Sequence, residues 1–403
     1  MSRSGCGHVR GPLACYAEGF REDLLGQGYT QGSAAHQIHL MAHVSRWLEA
    51  GGLEPADLDD GVARQFLAAR RADGYAKYRS ASALVPLLGY LRGLGVAAAP
   101  RLSEPLAPGD RLIGEFAGYL AGERGLAADS IRSYTGVARR FLAEVAIGDA
   151  IAAKGLAAAD VTGFVRSECG RRGVASAKAT VTGLRALLRF LYVEGLISAP
   201  LAGAVPSAAC WQLAALPRAV SAADLALLID SCDRRSVAGR RDFAILLLLA
   251  RMGLRSGEVA VLDLGDINWR QGEITVRGKG SRRDSLPLPA DVGEAVAGWL
   301  AEGRPPGAAC PAVFVRLRAP HDRLASTSVS FVVRRACARA GIGAAGAHRL
   351  RHAAAVGMLA AGGTLAEIGQ VLRHARPGTT AIYAKADVLA LSPLARPWPG
   401  EPR

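Results

Sequence analysis

The stretch His348-Arg349-Leu350-Arg351-His352 places two histidines and two arginines within five residues. The surrounding pattern predicts a helix, on which residues three apart share one face. His348 and Arg351 can therefore reach the same ligand, whereas Arg349 and His352 are expected to point elsewhere or to overlap that face only partly. A guanidinium can bind two phosphate oxygens at once, and an imidazole can donate a hydrogen bond or move a proton at neutral pH. His-x-x-Arg alone is weak evidence, because it occurs by chance in many helices.

Further candidates lie on both sides of this stretch. Arg255 follows a predicted helix and a Gly-Leu turn, and Glu258 is placed one helical turn later to orient it. His374 is expected to hold a phosphate oxygen by a hydrogen bond. Fixed guanidinium groups stabilise the negative charge that a phosphodiester develops in its transition state. Arg255 and Arg351 are therefore the predicted charge-stabilising pair of a phosphate-handling site.

Lys279 lies between two glycines at the tip of a predicted β-hairpin, where the turn can approach a DNA backbone closely. A lysine in this place can protonate the leaving 5′ oxygen of a cleaved strand. Three arginines of the same hairpin are fallback phosphate contacts: Arg277, Arg282 and Arg283.

Tyr383 is the predicted nucleophile. A free phenol has a pKa near 10, so it needs help, and the basic cluster is expected to favour its phenolate. The residue is predicted to lie on a short helix after a loop at 377–380, and this loop would let the helix swing in and out.

The order, spacing and context of six residues resemble the active site of the tyrosine recombinase (phage integrase) family: Arg255, Lys279, His348, Arg351, His374 and Tyr383. The resemblance covers roughly residues 110–390. It departs at Arg373, where the family usually has glycine before the histidine, and this affects the expected loop geometry rather than the chemistry. The family implies a mainly α fold with a small antiparallel β-sheet in an α+β catalytic domain, preceded by helical SAM-like core-binding domains.

The resemblance also implies an activity, that of a DNA strand transferase. Tyr383 would attack a scissile phosphate to give a 3′-phosphotyrosyl link, and the 5′ hydroxyl of a partner duplex would then restore the backbone. The bond energy is retained, so no cofactor and no metal is needed. The implied partners are double-stranded DNA with specific recombination sites, further copies of the chain (a dimer on each site and a tetramer in the synapse) and related recombinase subunits. The implied setting is integration, excision or transposition of a mobile element.

Composition agrees with a nucleic-acid partner. The chain has 403 residues and a formal net charge of +14, which favours binding to a polyanion. Its seven cysteines are scattered and form no Cys-x-x-Cys pair, which indicates a reduced, cytosolic chain without a zinc module. The apolar run at 243–250 is too short to span a bilayer and predicts a buried helix. These features predict a cytoplasmic, nucleoid-associated bacterial protein without a membrane partner.

Stretches rich in proline, glycine and alanine indicate linkers and divide the chain. The predicted parts are an N-terminal helical DNA-binding or arm-like domain (1–96), a linker (97–109), a core-binding helical domain (110–200), a second linker (201–217), a catalytic domain (218–390) and a tail (391–403). Within the catalytic domain, Ser221 is predicted to cap a helix. The other predicted elements are a helix over 241–253, a hairpin over 272–289, a strand over 312–317 and helices from 326 to 385.

The two N-terminal blocks resemble a diverged repeat. Apolar residues and one glycine match at a constant offset: Leu84, Leu87, Leu88, Tyr90, Leu91 and Gly95 against Leu184, Leu187, Leu188, Phe190, Leu191 and Gly195. Because the match includes the glycine that ends a helix, we favour duplication of one helical fold over chance similarity. The first block is then a DNA-gripping domain or, alternatively, a dimerisation or packing domain.

Two alternative functions remain at this stage. A type IB topoisomerase uses a similar set of residues as a monomer, but the duplicated helical front end and short catalytic block favour recombination. A non-catalytic accessory DNA-binding protein is disfavoured by intact Tyr383, Arg255 and Arg351. A separate group of histidines could share one helix face and hold a metal, although a polar or DNA-facing surface is the favoured interpretation: His36, His39 and His43.

Overall fold

The computed structural model describes residues 9–98, 108–145, 155–171, 174–207, 219–278, 282–374 and 377–386. The described chain is mainly helical with a three-stranded antiparallel sheet, so the predicted fold class is confirmed. It divides into two compact units, of which one is Arg101–Trp211 and the other combines Met1–Pro100 with Gln212–Arg403. The finer domain boundaries stay a prediction, and the tail at 391–403 lies outside the described residues.

The N-terminal bundle contains four α-helices: α1 (Ala17–Gly26), α2 (Gln31–Ala50), α3 (Asp60–Ala72) and α4 (Val85–Gly93). Thr30 and Asp59 begin α2 and α3, because their side chains accept hydrogen bonds from backbone N–H groups of the first turn. The helices bury their apolar faces against one another around Phe20, Met41 and Leu48. The predicted helical character of this block is confirmed.

The unit Arg101–Trp211 is a second bundle of four helices: α5 (Pro108–Gly122), α6 (Ala128–Glu144), α7 (Ala158–Arg171) and α8 (Val174–Val193). Its core is aromatic, with Phe116, Phe141 and Phe164 fully buried. The rings of Phe141 and Phe164 meet edge to face at 5.1 Å between centroids, a favoured aromatic geometry.

The two bundles share local details beyond their apolar pattern. The glycines Gly95 and Gly195 both adopt left-handed backbone conformations, with φ of +71° and +68°. In each bundle the residue after the glycine donates its N–H to the carbonyl five residues earlier, at 2.9 and 2.8 Å. Asp57 and Asp160 each accept a hydrogen bond of 2.9 Å from the backbone N–H three residues before them. These correspondences support duplication of one fold.

The C-terminal part carries eight described helices: α9 (Ala222–Asp230), α10 (Val237–Ala250), α11 (Ser256–Ala260), α12 (Ala290–Glu302), α13 (Ser326–Arg339), α14 (Ala347–Ala360), α15 (Leu365–Val371) and α16 (Pro377–Thr380). Ser221 caps α9 as predicted, with its hydroxyl 3.0 Å from the N–H of Asp224. The apolar run at 243–250 is the buried end of α10. Within the described chain, no helix has the length and apolarity needed to cross a membrane.

The sheet contains β1 (Ile267–Asn268), β2 (Glu273–Arg277) and β3 (Arg283–Pro287) in that order. The predicted hairpin of β2 and β3 is confirmed, with Ile274 opposite Leu286. Its tip at 279–281 lies outside the described residues. The strand predicted over 312–317 is wrong, because this segment forms two isolated bridges, one from Ala312 and one from Val315. Its apolar residues are nevertheless buried, which explains the strand-like pattern.

Candidate active site

Arg351 lies on α14 with its side chain almost fully buried, at 1% relative exposure. Its Nη1 donates a hydrogen bond to the carbonyl of Gly253 (2.5 Å), and its Nη2 donates to the carbonyl of Leu372. A buried guanidinium is costly unless its N–H groups are bonded, so these carbonyls stabilise it. Burial, together with the nearby charge of Arg255, lowers the pKa of Arg351 to about 10, and the group stays charged at neutral pH.

Gly253 is required by the turn that precedes Arg255. Its φ of +61° is a left-handed conformation that glycine adopts without strain. A Cβ atom at this position would stand 2.5 Å from Cδ2 of Leu372 and 3.5 Å from Cβ of Ala354. The turn is therefore packed directly against the helices that carry the other candidate residues.

Glu258 holds two guanidinium groups. Its carboxylate, buried on α11, accepts a hydrogen bond from Nη1 of Arg255 at 2.6 Å and from Nη2 of Arg373 at 2.7 Å. It also accepts from the backbone N–H of Arg255 at 2.8 Å. The prediction that Glu258 orients Arg255 is confirmed. With Arg351 close by, one carboxylate faces three cations, which leaves the site positively charged.

The backbone conformation at Arg373 is one that glycine adopts more easily than other residues, which is why glycine suits the position before His374. The φ of Arg373, +54°, lies in the left-handed region, where a side chain costs roughly 1 kcal/mol. The side chain is only 4% exposed, and the ion pair with Glu258 anchors it. Its Nε has no hydrogen-bond partner among the described residues. The loop thus keeps the glycine-like backbone while adding a buried cation.

His348 lines a pocket of about 200 Å³ together with Arg255 and Arg351. Burial, followed by the charges of these two arginines, lowers the pKa of His348. The neutral imidazole is therefore favoured, and it can donate one hydrogen bond. One water molecule occupies about 30 Å³ in the liquid, so a pocket of about 200 Å³ has room for several waters or for a phosphate group in their place.

His374 follows the end of α15 and is held by Thr380. Its Nδ1 lies 2.7 Å from the hydroxyl oxygen of Thr380, which orients the ring and leaves Nε2 for other partners. Burial lowers the pKa of His374 to about 4, assisted by the charges of Arg351 and Arg255. At neutral pH the ring is uncharged and serves as a hydrogen-bonding group rather than a cation.

Tyr383 lies in a short 3₁₀ segment, Ala381–Ala386, and is 2% exposed. Its hydroxyl is 2.8 Å from Nδ1 of His352. The ring is flanked by His352 at 5.5 Å between centroids and by His374 at 6.4 Å in a stacked arrangement. The loop predicted over 377–380 is wrong, because these residues form α16, whereas the short helix predicted at Tyr383 is present as the 3₁₀ segment.

The charge of Arg351 lowers the pKa of Tyr383 as predicted, but the basic cluster does not favour the phenolate overall. Burial raises the pKa of Tyr383, and the charge of Arg351 offsets this only partly. The sequence displays nearby cations but does not display burial, which here has the larger effect. The phenol is therefore protonated at neutral pH.

The structure brings five of the six predicted residues into one region: Arg255, His348, Arg351, His374 and Tyr383. Lys279 lies outside the described residues, so its position is a prediction. Arg277 pairs with Asp263 and Asp266 and is thereby held in the sheet. Arg282 pairs with Asp284, yet it also lines a cleft of about 560 Å³ with Arg373 and His374. Arg283 is exposed on β3.

His352 is the contact that sequence reasoning missed. It lies four residues after His348, and this spacing on a helix places both rings on one face, 4.4 Å apart between centroids. Burial, then His348 and Arg351, lower the pKa of His352 to about 4. Elsewhere, no cluster of histidine, cysteine, aspartate or glutamate suited to a metal ion occurs within the described ranges, which include His36, His39 and His43.

Replacing Arg373 separates its backbone role from its side-chain role. Arg373→Ala loses the ion pair and keeps the left-handed strain, whereas Arg373→Gly loses the ion pair and relieves the strain. We expect Arg373→Gly to be the more stable of the two by about 1 kcal/mol, measured by urea denaturation followed by circular dichroism. Exposed Arg335, inside α13, is the control, where glycine should be the less stable by a similar amount. If the alanine variant were the more stable one at both positions, the backbone strain inferred at Arg373 would be contradicted.

The buried neutral histidines should make stability depend on pH. In the unfolded chain a histidine has a pKa near 6.5, so below that pH the unfolded state binds more protons than the folded state. Because His374 must stay neutral in the folded protein, the free energy of unfolding should fall as the pH drops from about 7 to 4. His374 should account for up to about 3 kcal/mol of this loss. Urea denaturation at pH 7 and 4.5 should show a smaller acid loss for His374→Asn than for the parent. His36→Asn, at an exposed position, controls for removal of a histidine; an equal effect would refute the assignment.

Comparison with known proteins shows the family to which this chain is similar. The model of the Phage integrase family matches residues 218–389, the region that contains the site. The protein named Putative integrase/recombinase y4rA from Sinorhizobium fredii is 40% identical over 97% of this chain and 96% of its own length. Tyrosine recombinase XerC of Shewanella amazonensis is 30% identical, covering 68% of this chain and 90% of that protein.

Solved structures agree at the level of the fold. XerH site-specific recombinase, in a post-cleavage complex with its difH substrate, matches 73% of this chain and 97% of its own with a TM-score of 0.54 at 18% identity. A lambda integrase dimer bound to a COC′ core site matches 81% of this chain and 90% of its own with a TM-score of 0.53 at 14% identity. On the strength of its full-length relative, the chain belongs to the phage integrase family of tyrosine recombinases, which are DNA strand transferases.

Proposed function

We propose that this chain is a site-specific recombinase in which Tyr383 attacks a scissile phosphate and forms a 3′-phosphotyrosyl link. The observation that carries the proposal is the convergence of Arg255, Arg351, His348 and His374 on the region of the Tyr383 hydroxyl. The relatives named above are recombinases, which favours this function over relaxation by a topoisomerase or accessory DNA binding.

The charge balance of the site suits a phosphodiester. Arg351 donates to two carbonyls, which satisfy its N–H groups without neutralising its charge. Glu258 is a single carboxylate shared by Arg255 and Arg373. An anion that enters beside Arg255 and Arg351 therefore relieves repulsion among the cations. The transition state carries more negative charge than the substrate, so the same groups stabilise it further.

The remaining groups complete the chemistry. His348 and His374, both neutral, are placed to donate hydrogen bonds to non-bridging oxygens of the phosphate. Lys279, predicted to lie at the hairpin tip, would protonate the leaving 5′ oxygen, and Arg282 in the neighbouring cleft is a fallback contact. The phosphotyrosyl bond preserves the energy of the phosphodiester, so a second 5′ hydroxyl can restore the backbone without a cofactor.

The finer setting is part of the same proposal. A dimer on each DNA site and a tetramer in the synapse would exchange strands between two duplexes, in integration, excision or transposition of a mobile element. Support comes from a net charge of +14 and from the similar fold of lambda integrase, which was solved as a tetramer bound to a Holliday junction. The N-terminal bundle, which resembles the second bundle in its capping details, would grip additional DNA beyond the cleaved site.

The nucleophile can be tested before the DNA site is known. Duplexes with a random sequence around a nick are incubated with the purified chain, and covalent complexes that survive denaturation are isolated and sequenced. We expect the parent protein to form covalent complexes with one sequence, the site that it recognises. These complexes persist because the short strand beside the nick diffuses away after cleavage and cannot be rejoined. Tyr383→Phe should bind that sequence and trap none. Equal trapping by the two proteins would refute Tyr383 as nucleophile, and relaxation of plasmid lacking the sequence would support a topoisomerase.

Arg255 offers the cleanest test of phosphate stabilisation, because its side chain is 45% exposed and Glu258 keeps Arg373 as a partner when Arg255 is removed. Arg255→Ala should slow covalent complex formation on the selected duplex by about 10²- to 10³-fold, with little change in thermal unfolding. Arg251→Ala removes an exposed, ion-paired arginine nearby and is the matched control. Cleavage by Arg255→Ala at the rate of the Arg251→Ala control would exclude the role.

A further inference from the structure

The hydroxyl of Tyr383 is bonded to a histidine that the proposed active-site set does not include. Nδ1 of His352 lies 2.8 Å from Oη of Tyr383. His352 occupies the same face of α14 as His348, one turn later, and its ring contacts those of both His348 and Tyr383, at 4.4 and 5.5 Å between centroids. Within the described chain, no other predicted site residue has a hydrogen bond to this hydroxyl, and His374 bonds to Thr380 instead. His352 is therefore the basic group that contacts the oxygen proposed to react.

The direction of this hydrogen bond follows from the environment of its two groups. Burial opposes ionisation of both: it raises the pKa of Tyr383 and, with His348 and Arg351, lowers the pKa of His352 to about 4. At neutral pH the phenol therefore keeps its proton and donates it to a neutral imidazole. Nδ1 is the acceptor, and the remaining ring nitrogen carries the hydrogen.

We propose that His352 is the catalytic base that takes the proton of Tyr383 as the phenol oxygen attacks phosphorus. This inference rests on the proposed function of Tyr383. As the bond between Oη and phosphorus forms, the Oη–H electron pair stays on oxygen and the proton moves to Nδ1. The bond from phosphorus to O5′ breaks, and its electron pair leaves on O5′, which Lys279 protonates. His352 ends as an imidazolium and returns the proton to Oη when the backbone is rejoined.

The groups around His352 make this transfer feasible only when a phosphate is present. His348 and Arg351 face it from its own helix, and Tyr383 faces it from the 3₁₀ segment. The His374 ring lies parallel to the tyrosine ring at 6.4 Å between centroids. In the unliganded site, Arg351 opposes a charged imidazole. A bound phosphate offsets that charge, so the imidazolium becomes easier to form.

His348 is the other imidazole on this face, and its contacts indicate a different task. It lines the pocket formed with Arg255 and Arg351, where a phosphate oxygen would bind, and the Tyr383 hydroxyl has its hydrogen bond with His352 instead. A proton acceptor must be within about 3.2 Å of the proton donor, directly or through one water. The geometry assigns proton transfer to His352 and phosphate binding to His348.

The test compares two leaving groups on the duplex selected by the parent protein. In one duplex the scissile bridging atom is O5′, and in the other it is sulfur, which leaves without protonation. We expect His352→Asn, which keeps a hydrogen-bond acceptor near Nδ1 but cannot take a proton, to slow cleavage by about 10²-fold on both duplexes. Lys279→Ala is the matched control, because sulfur should restore its rate. DNA binding by His352→Asn should equal that of the parent.

Two further measurements distinguish the loss of a catalytic base from a folding defect in the variant. With the sulfur duplex, the parent rate should fall as the pH drops through the pKa of His352 in the complex, and His352→Asn should lack this fall. Imidazole added to His352→Ala should restore cleavage, with a pH dependence that follows the pKa of imidazole. A parent rate that is flat in acid would overturn the inference even if neither variant folds.

The outcomes separate this inference from the proposed function. If Tyr383→Phe forms a covalent complex, the nucleophile is wrong and both proposals fall. If Tyr383→Phe forms none but His352→Asn cleaves within twofold of the parent, only His352 is excluded as the base. Faster cleavage by His352→Asn would show that the hydrogen bond restrains Tyr383 instead of assisting it, and that result also overturns the inference.

Discussion

Burial of the Arg351 guanidinium is the constraint on which the rest of the site depends. A buried cation must find hydrogen-bond acceptors, and Arg351 finds them on the backbone carbonyls of Gly253 and Leu372. Arg255 follows the first of these residues by two positions and His374 follows the second by two, so one side chain sets the places of both. Because the acceptors are carbonyls and not carboxylates, the charge is solvated without being neutralised. It remains available to an anion.

The same arrangement makes the site electrostatically unfavourable. Among the described residues, the Glu258 carboxylate faces three guanidinium groups, and burial together with repulsion from the arginines lowers the pKa of Arg351 and of the neighbouring histidines. Arg373 adds backbone strain in the left-handed region. Natural proteins accept such local costs at functional sites, because the groups that destabilise the free protein stabilise the charge that forms during reaction. Under the proposed function, a phosphodiester would supply the missing negative charge.

Much of this could be predicted from sequence, because periodicity and short motifs report local structure. The α10 run, the β2–β3 hairpin and the spacing of His348 and Arg351 all depend on neighbours within a few residues. What could not be predicted depends on burial and on contacts between distant segments. The 312–317 segment is apolar like a buried strand but makes only isolated bridges. Likewise, the spacing of His352 from His348 is visible in the sequence, whereas its bond to Tyr383, 31 residues away, requires the fold.

In the mechanism we propose, the contact between His352 and Tyr383 accounts for how a buried phenol would react. A stable phenolate is disfavoured in the free site, since burial raises the pKa of Tyr383. It is disfavoured again when DNA is bound, since the phosphate brings its own negative charge. The proton must therefore leave while the oxygen attacks, so that charge passes directly to phosphate oxygens beside Arg255 and Arg351. Such a concerted step needs an acceptor already touching Oη. A neutral imidazole meets this need, whereas an arginine or a protonated lysine has no lone pair to offer.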